Sequence, residues 1–127
     1  MPAATEKRNI AARFEALLQT EPEQFLPIAK ICAALGVSAQ ILRISCEEQI
    51  GIGPSEYARR WRMQHVHRAL RNGNPATASV SEIARRYGFR DSGRFATDYR
   101  SVYGELPSAT LRRSLRGIAE LPLHRPV

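Results

Sequence analysis

The chain has 127 residues, 43% of them hydrophobic, enough for one ordinary domain or two very small ones and too apolar for wholesale disorder. Its formal charge is +7 and its pI about 10.2, a balance that favours a polyanionic partner. No apolar run approaches the roughly eighteen residues of a membrane span. Charges also interrupt "MPAATEKRNIAARFEALL" where a secretory leader needs its apolar stretch, so no membrane partner is expected and the location implied is cytoplasmic.

The charge is lopsided. Residues 1–50 carry five Lys or Arg against six acids, and residues 51–127 carry fourteen against six. Seventeen of the nineteen basic residues are Arg, whose planar fork suits phosphate and guanine. Cys32 and Cys46 form no C-x-x-C pair, and no second pair completes a metal site. Both read as reduced, small core residues.

In chain order, Ile10, Phe14, Leu17 and Leu18 mark one face of a helix over 9–19, which "TEPEQFLP" then breaks. Ile28, Ile31, Cys32 and Leu35 make a second, short helix ended by Gly36. Ser38 caps a third that runs to about Ile50. "GIGP" is a turn, and Pro54 suits the first position of the next helix. From 55 to 71 no Gly or Pro intervenes, so one long helix is expected. "NGNPATAS" is the clearest loop in the chain. Ser79 and Glu82 form a capping box for a fifth helix that Gly88 ends. Asp91 caps a sixth reaching Val102 or Tyr103, before "GELP". A last short helix covers 106–115 and a frayed tail follows. The class is all-α, about seven helices, divided into an N-terminal helix with a first unit (1–53), a linker helix (54–72), a second unit (73–116) and a flexible tail (117–127).

The two units echo each other. Ile31 and Ile83 are 52 apart, as are Gly36 and Gly88; Leu42 and Phe95, Gly51 and Gly104, and Pro54 and Pro107 are each 53 apart. Each unit is a short helix, a tight turn at Gly plus an apolar residue (Val37, Phe89), and a longer helix closed by Gly and Pro. That is the helix-turn-helix plan, whose second helix projects its N-terminal part into a major groove. By helical spacing the first such helix buries Leu42, Cys46 and Ile50 and leaves Gln40, Arg43, Ile44 and Glu47 outside or at the edge, with Ser38 at its start. The second buries Phe95, Tyr99 and Val102 and exposes Ser92, Gly93, Arg94, Thr97 and Arg100, with Arg90 just before it. Arg60 and Arg68 lie on the polar face of the linker helix, where phosphates are within reach. About eighteen helical residues span roughly 27 Å, against about 34 Å between successive major grooves on one face of DNA. Duplication within one chain would then replace the dimer on which most such proteins rely.

"GFRDSGRF", "VYGELPSATLR", "GIGPSEYARRWRM" and "GVSAQIL" together resemble the AraC-type DNA-binding domain (AraC/XylS family), from about residue 25 to 113. The resemblance implies two helix-turn-helix units joined by a long helix in a bacterial transcription regulator. Its partners would be double-stranded DNA at the nucleoid, RNA polymerase, and a separate N-terminal sensor or dimerisation domain for which this chain has no room. It implies no cofactor. The chain departs from the pattern at Ile44 and Thr97, where the family commonly has basic residues, and at Cys46, where it has an aromatic. That last change predicts a thinner first unit. His65 and His67, two apart on a helix, point to different faces and cannot share a metal. With His124 in the tail and no Ser or Cys beside a base, no catalytic constellation is expected. The alternative function is a helical protein-binding adaptor, which would lack the steep salt dependence of DNA binding. Trp61 lies off the linker helix's inner stripe of Ala58, Arg62, Val66 and Ala69, either as a partly exposed packing residue or near the DNA backbone.

Overall fold

A computed structural model of the chain describes residues 2–20 and 26–114. Among them are seven α-helices and no strand: α1 (Ala4–Thr20), α2 (Ile28–Leu35), α3 (Ala39–Gln49), α4 (Pro54–Arg71), α5 (Val80–Arg86), α6 (Ser92–Tyr103) and α7 (Pro107–Arg112). They form two compact units, Met1–Arg62 and Met63–Val127, and the division falls inside α4. The tail and the break at 21–25 lie outside the described residues.

The first unit is built on Ile10, Phe14 and Leu18 of α1, Ile31, Cys32 and Leu35 of α2, and Leu42 and Cys46 of α3. α1 starts five residues before the helix that apolar spacing marks. Ala4–Arg8 contains good helix formers and no breaker, so propensity carries the helix outward beyond its buried stripe. Phe14 is fully buried and its ring meets Tyr57 at 5.6 Å. Tyr57, Ala58 and Trp61 of α4 pack on the same core. The aromatic volume missing at Cys46 is thus supplied by α1 and α4, and Trp61 has a packing role. Ile50 is only half-buried, because it is the C-cap of α3.

In the turn, Gly36 takes φ 70, a left-handed conformation that a side chain would strain, and Val37 N–H donates to Cys32 O at 3.1 Å. α2 and α3 consequently meet at 89°. The second unit repeats the device residue for residue. Gly88 takes φ 89 and Phe89 N–H donates to Ala84 O at 2.9 Å, each position 52 on from its counterpart. Ser38, Ser79 and Asp91 cap α3, α5 and α6 through their side-chain oxygens.

The second core gathers Met63, Val66 and Leu70 of α4, Ile83 and Ala84 of α5, Tyr87, Phe95 and Tyr99, and Leu111 of α7. Phe89, Phe95, Tyr99 and Tyr103 form a ring-to-ring ladder at 5.0, 5.7 and 4.7 Å. Val102, expected inside, is 59% exposed. The inner stripe of α6 advances by fours, from Phe95 to Tyr99 to Tyr103, and leaves position 102 on the outside. Gly73 lets the loop after α4 close down, since a Cβ there would meet Leu111 Cδ1 at 3.0 Å and Ala69 O at 3.1 Å.

Candidate nucleic-acid interface

In the first unit, Ser38 Oγ accepts from Ile41 N–H at 3.1 Å, which starts α3. Gln40, Arg43 and Glu47 follow at intervals of three and four, so they share one exposed face, with Ile44 half-buried at its edge. Together with Ala39 they line a groove of about 680 Å³ whose other wall is Ile28, Gly53, Pro54, Ser55 and Glu56. Charges here are largely paired off. Arg43 lies 3.5 Å from Glu47, and Arg60 donates to Glu56 at 3.1 Å. The Arg60 hydrogen bond holds the Glu56 carboxyl below its ordinary value, so the pair stays ionised. Glu48 turns away from Glu47 and meets Lys7 of α1 at 2.8 Å. Burial pushes the Cys46 thiol up to about 11, with Glu15 and Glu47 adding to it, so this cysteine stays protonated and inert.

In the second unit, Asp91 accepts from Arg94 N–H at 3.0 Å and so starts α6 with Ser92, Gly93 and Arg94 exposed on its first turn. Thr97 Oγ1 donates to Gly93 O at 3.1 Å; its hydrogen is spent within the helix, and it presents a methyl group and an acceptor. Arg100 continues the exposed face. Among the described residues, the side chains of Arg68, Arg90, Arg94 and Arg100 make no ion pair. The structure therefore gathers Ser38, Gln40, Arg43 and Glu47 along the exposed face of α3, and Arg90, Ser92, Gly93, Arg94, Thr97 and Arg100 along that of α6. Arg60 and Arg68 stand on α4, one in each unit.

Sequence reasoning missed Ser55 and Glu56 as the far wall of the first groove. The signal was present: Pro54 opens α4, so its first turn had to lie beside the end of α3. It also missed the Lys7–Glu48 pair, 41 residues apart, for which no local pattern exists.

Two capped helices, each presented by a short helix and a glycine turn, with polar and basic residues on the exposed face of each, define a double helix-turn-helix domain of the DNA-reading class. Comparison with known proteins agrees. A family model described as a helix-turn-helix domain matches residues 31–113. A probable AraC family transcriptional regulator from Rhodopseudomonas palustris CGA009 superposes with a TM-score of 0.73 at 33% identity, over 84% of this chain and 97% of that one. The chain is 35% identical over 95 residues to a probable thc operon regulatory protein of Rhodococcus erythropolis, covering 75% of this chain and 29% of that protein. It is 36% identical over 91 residues to the XylDLEGF operon transcriptional activator 3 of Pseudomonas putida, covering 72% and 28%. This chain belongs to the AraC family of DNA-binding transcription regulators. It matches less than a third of the length of these two curated relatives.

Proposed function

We propose that the chain reads double-stranded DNA with α3 and α6, each in a major groove, and that the two units divide the work unequally. The second supplies most of the attraction to phosphate, and the first contributes less affinity but discriminates among sequences. The observation that carries this is the pairing of the arginines: Arg43 and Arg60 are held by Glu47 and Glu56, whereas Arg68, Arg90, Arg94 and Arg100 have no acidic partner among the described residues. A guanidinium already neutralised displaces fewer counterions from DNA than a free one. Arg90, Arg94 and Arg100 sit on or beside the reading helix of the second unit, with Ser92, Gly93 and Thr97 as neighbours at the base edges. Ser38, Gln40, Arg43, Ile44 and Glu47 are the corresponding set in the first. Recognition of this kind needs no turnover and no cofactor.

Regulation of transcription would follow from occupancy of a promoter in the bacterial nucleoid, through contact with RNA polymerase. The greater length of the relatives supports a further domain, a sensor or a dimerisation module, as part of the working regulator. Footprinting of the chain on a site selected from a random pool tests the central reading. Two protected patches about one helical turn apart, from a monomer, are expected. A single patch, or binding only by a dimer with one groove per chain, overturns it.

A further inference from the structure

The second unit holds a recess that its reading helix does not line. Its walls are His67 and Arg71 of α4 and Thr110 and Arg113 around α7, enclosing about 350 Å³. A hydrogen-bond chain beside it has a definite direction. Glu105 is held below its ordinary value, first by its hydrogen bond to Arg113, so it is a carboxylate and can only accept. Thr110 Oγ1 donates to Glu105 Oε2 at 3.0 Å, which uses its one hydrogen. Tyr99 Oη must then donate to Thr110 Oγ1, at 2.7 Å. The 2.8 Å contact between Tyr99 Oη and His67 Nδ1 is therefore one in which the phenol oxygen accepts and Nδ1 carries the hydrogen. Neutral His67 is thus the Nδ1–H tautomer, with Nε2 an acceptor. Tyr103, stacked on the imidazole at 3.9 Å and 4°, fixes the plane of the ring.

The groups facing His67 are Arg71 on its own helix, Tyr99 and Tyr103 of α6, and Glu105 in the following turn. Burial first and Arg71 second hold the imidazole below its ordinary value, against the pull of Glu105. Burial raises both phenols, so they stay neutral. Glu105 is shared with Arg113, which pairs with it. Arg71 makes no ion pair among the described residues. Two guanidinium groups and an imidazole thus line the recess, with a single carboxylate, Glu105, beside it.

We propose that this recess is an oxyanion site, which takes a sulfate- or phosphate-class group on Arg71 and Arg113 while His67 gains a proton from solvent at Nε2. Arg71 offers a whole fork, and Arg113 keeps donors beyond the one on Glu105. With Nδ1–H already committed to Tyr99, the new N–H at Nε2 is the donor left for the ligand. The proton adds one positive charge as the anion arrives, so uptake of the two is coupled. The anion can be a free small ion or a backbone phosphate of bound DNA. The second source rests on the proposed function, and the first does not.

The test is titration of sulfate, whose charge is constant where imidazole titrates, into the full chain. The His67 ring and arginine side-chain resonances are followed by NMR, with chloride at matched ionic strength as the control. Saturable shifts, an upward move in the His67 titration midpoint and tighter binding as pH falls are expected. Arg71→Gln should weaken sulfate binding by about tenfold or more. His67→Gln should retain binding but lose its pH dependence. No saturable change beyond chloride overturns the proposal, as does equal binding by wild type and Arg71→Gln. A duplex arm identifies the source. If DNA shifts the same resonances and competes with sulfate, the occupant is a backbone phosphate. If sulfate binds equally with and without duplex, it is a free anion. Saturable sulfate binding by a chain that binds no DNA would uphold the site and sink the DNA reading alone.

Discussion

At the scale of single residues, partner and position separate the arginines. Arg94 stands on the first turn of α6 with its backbone N–H held by Asp91 and its side chain exposed, where base edges come within reach. Arg94→Ala should cost about 1–3 kcal/mol on a matched site and relax preference at one base position. Equal losses on matched and scrambled duplexes would count against that placement. Arg68→Ala should weaken all sequences alike and lower the salt slope by about one. Arg60→Ala, which leaves Glu56 without its 3.1 Å partner, should act in the same uniform way but more weakly. Glu47 presents the opposite case. Its removal takes a carboxylate from the groove face and frees Arg43 from a 3.5 Å pair. Glu47→Ala should raise affinity for non-specific DNA and narrow the gap to a selected site. Unchanged titrations on both duplexes at fixed salt would show that this carboxylate does not face DNA.

At the scale of elements, α1 makes the first unit more than a helix-turn-helix. It lies before the matched residues 31–113, yet it contributes Ile10, Phe14 and Leu18 to the core and Lys7 to a salt bridge with α3. Phe14 has no exposed surface and touches the Tyr57 ring. Phe14→Ala should cost about 3–5 kcal/mol, the usual range for emptying a buried phenylalanine site. The melt should then show the first unit loosening before the second. A loss under about 1 kcal/mol would mean that α1 is dispensable to that core. The exposed Lys7–Glu48 pair is worth little by itself. Its effect is positional, because it ties α1 to the C-terminal end of α3.

At the scale of the whole molecule, the second unit carries the titrating groups. His65 stacks on Tyr87 and His67 on Tyr103. Burial is the first cause that holds each below the ordinary 6.5, with Arg68 and Arg71 as further causes. The unfolded chain therefore takes up these protons at a higher pH than the folded chain does. Stability from this source is complete above the ordinary histidine value and is lost as pH falls from there towards the folded values. Melting temperature in chloride buffer should drop across that window, and His67→Gln should flatten the drop. A flat wild-type profile would mean that neither ring is disfavoured as a cation. Sulfate should restore part of the loss in wild type.

Much of the architecture could be read without coordinates, because helices announce themselves locally. The 52- and 53-residue spacings and the caps at Ser38, Ser79 and Asp91 follow from period and side-chain chemistry within a few residues. So does the exposure of Gln40, Arg43, Glu47, Ser92, Arg94, Thr97 and Arg100. What apolar spacing cannot report is which distant group a face will meet. Val102 sits on the expected stripe, but the inside is taken by Tyr99 and Tyr103, whose rings find His67 on a helix more than thirty residues away. Cys46 looked like a gap until Phe14 and Tyr57 closed over the same core. Glu47 and Glu48, which helical geometry already sets roughly 100° apart, find different partners, Arg43 on the same helix and Lys7 of α1. The hydrogen-bond chain from His67 through Tyr99 and Thr110 to Glu105 joins three helices and the turn before the last of them. Only folding sets the order of its donors, since each hydroxyl has one hydrogen and the carboxylate at the end has none to give.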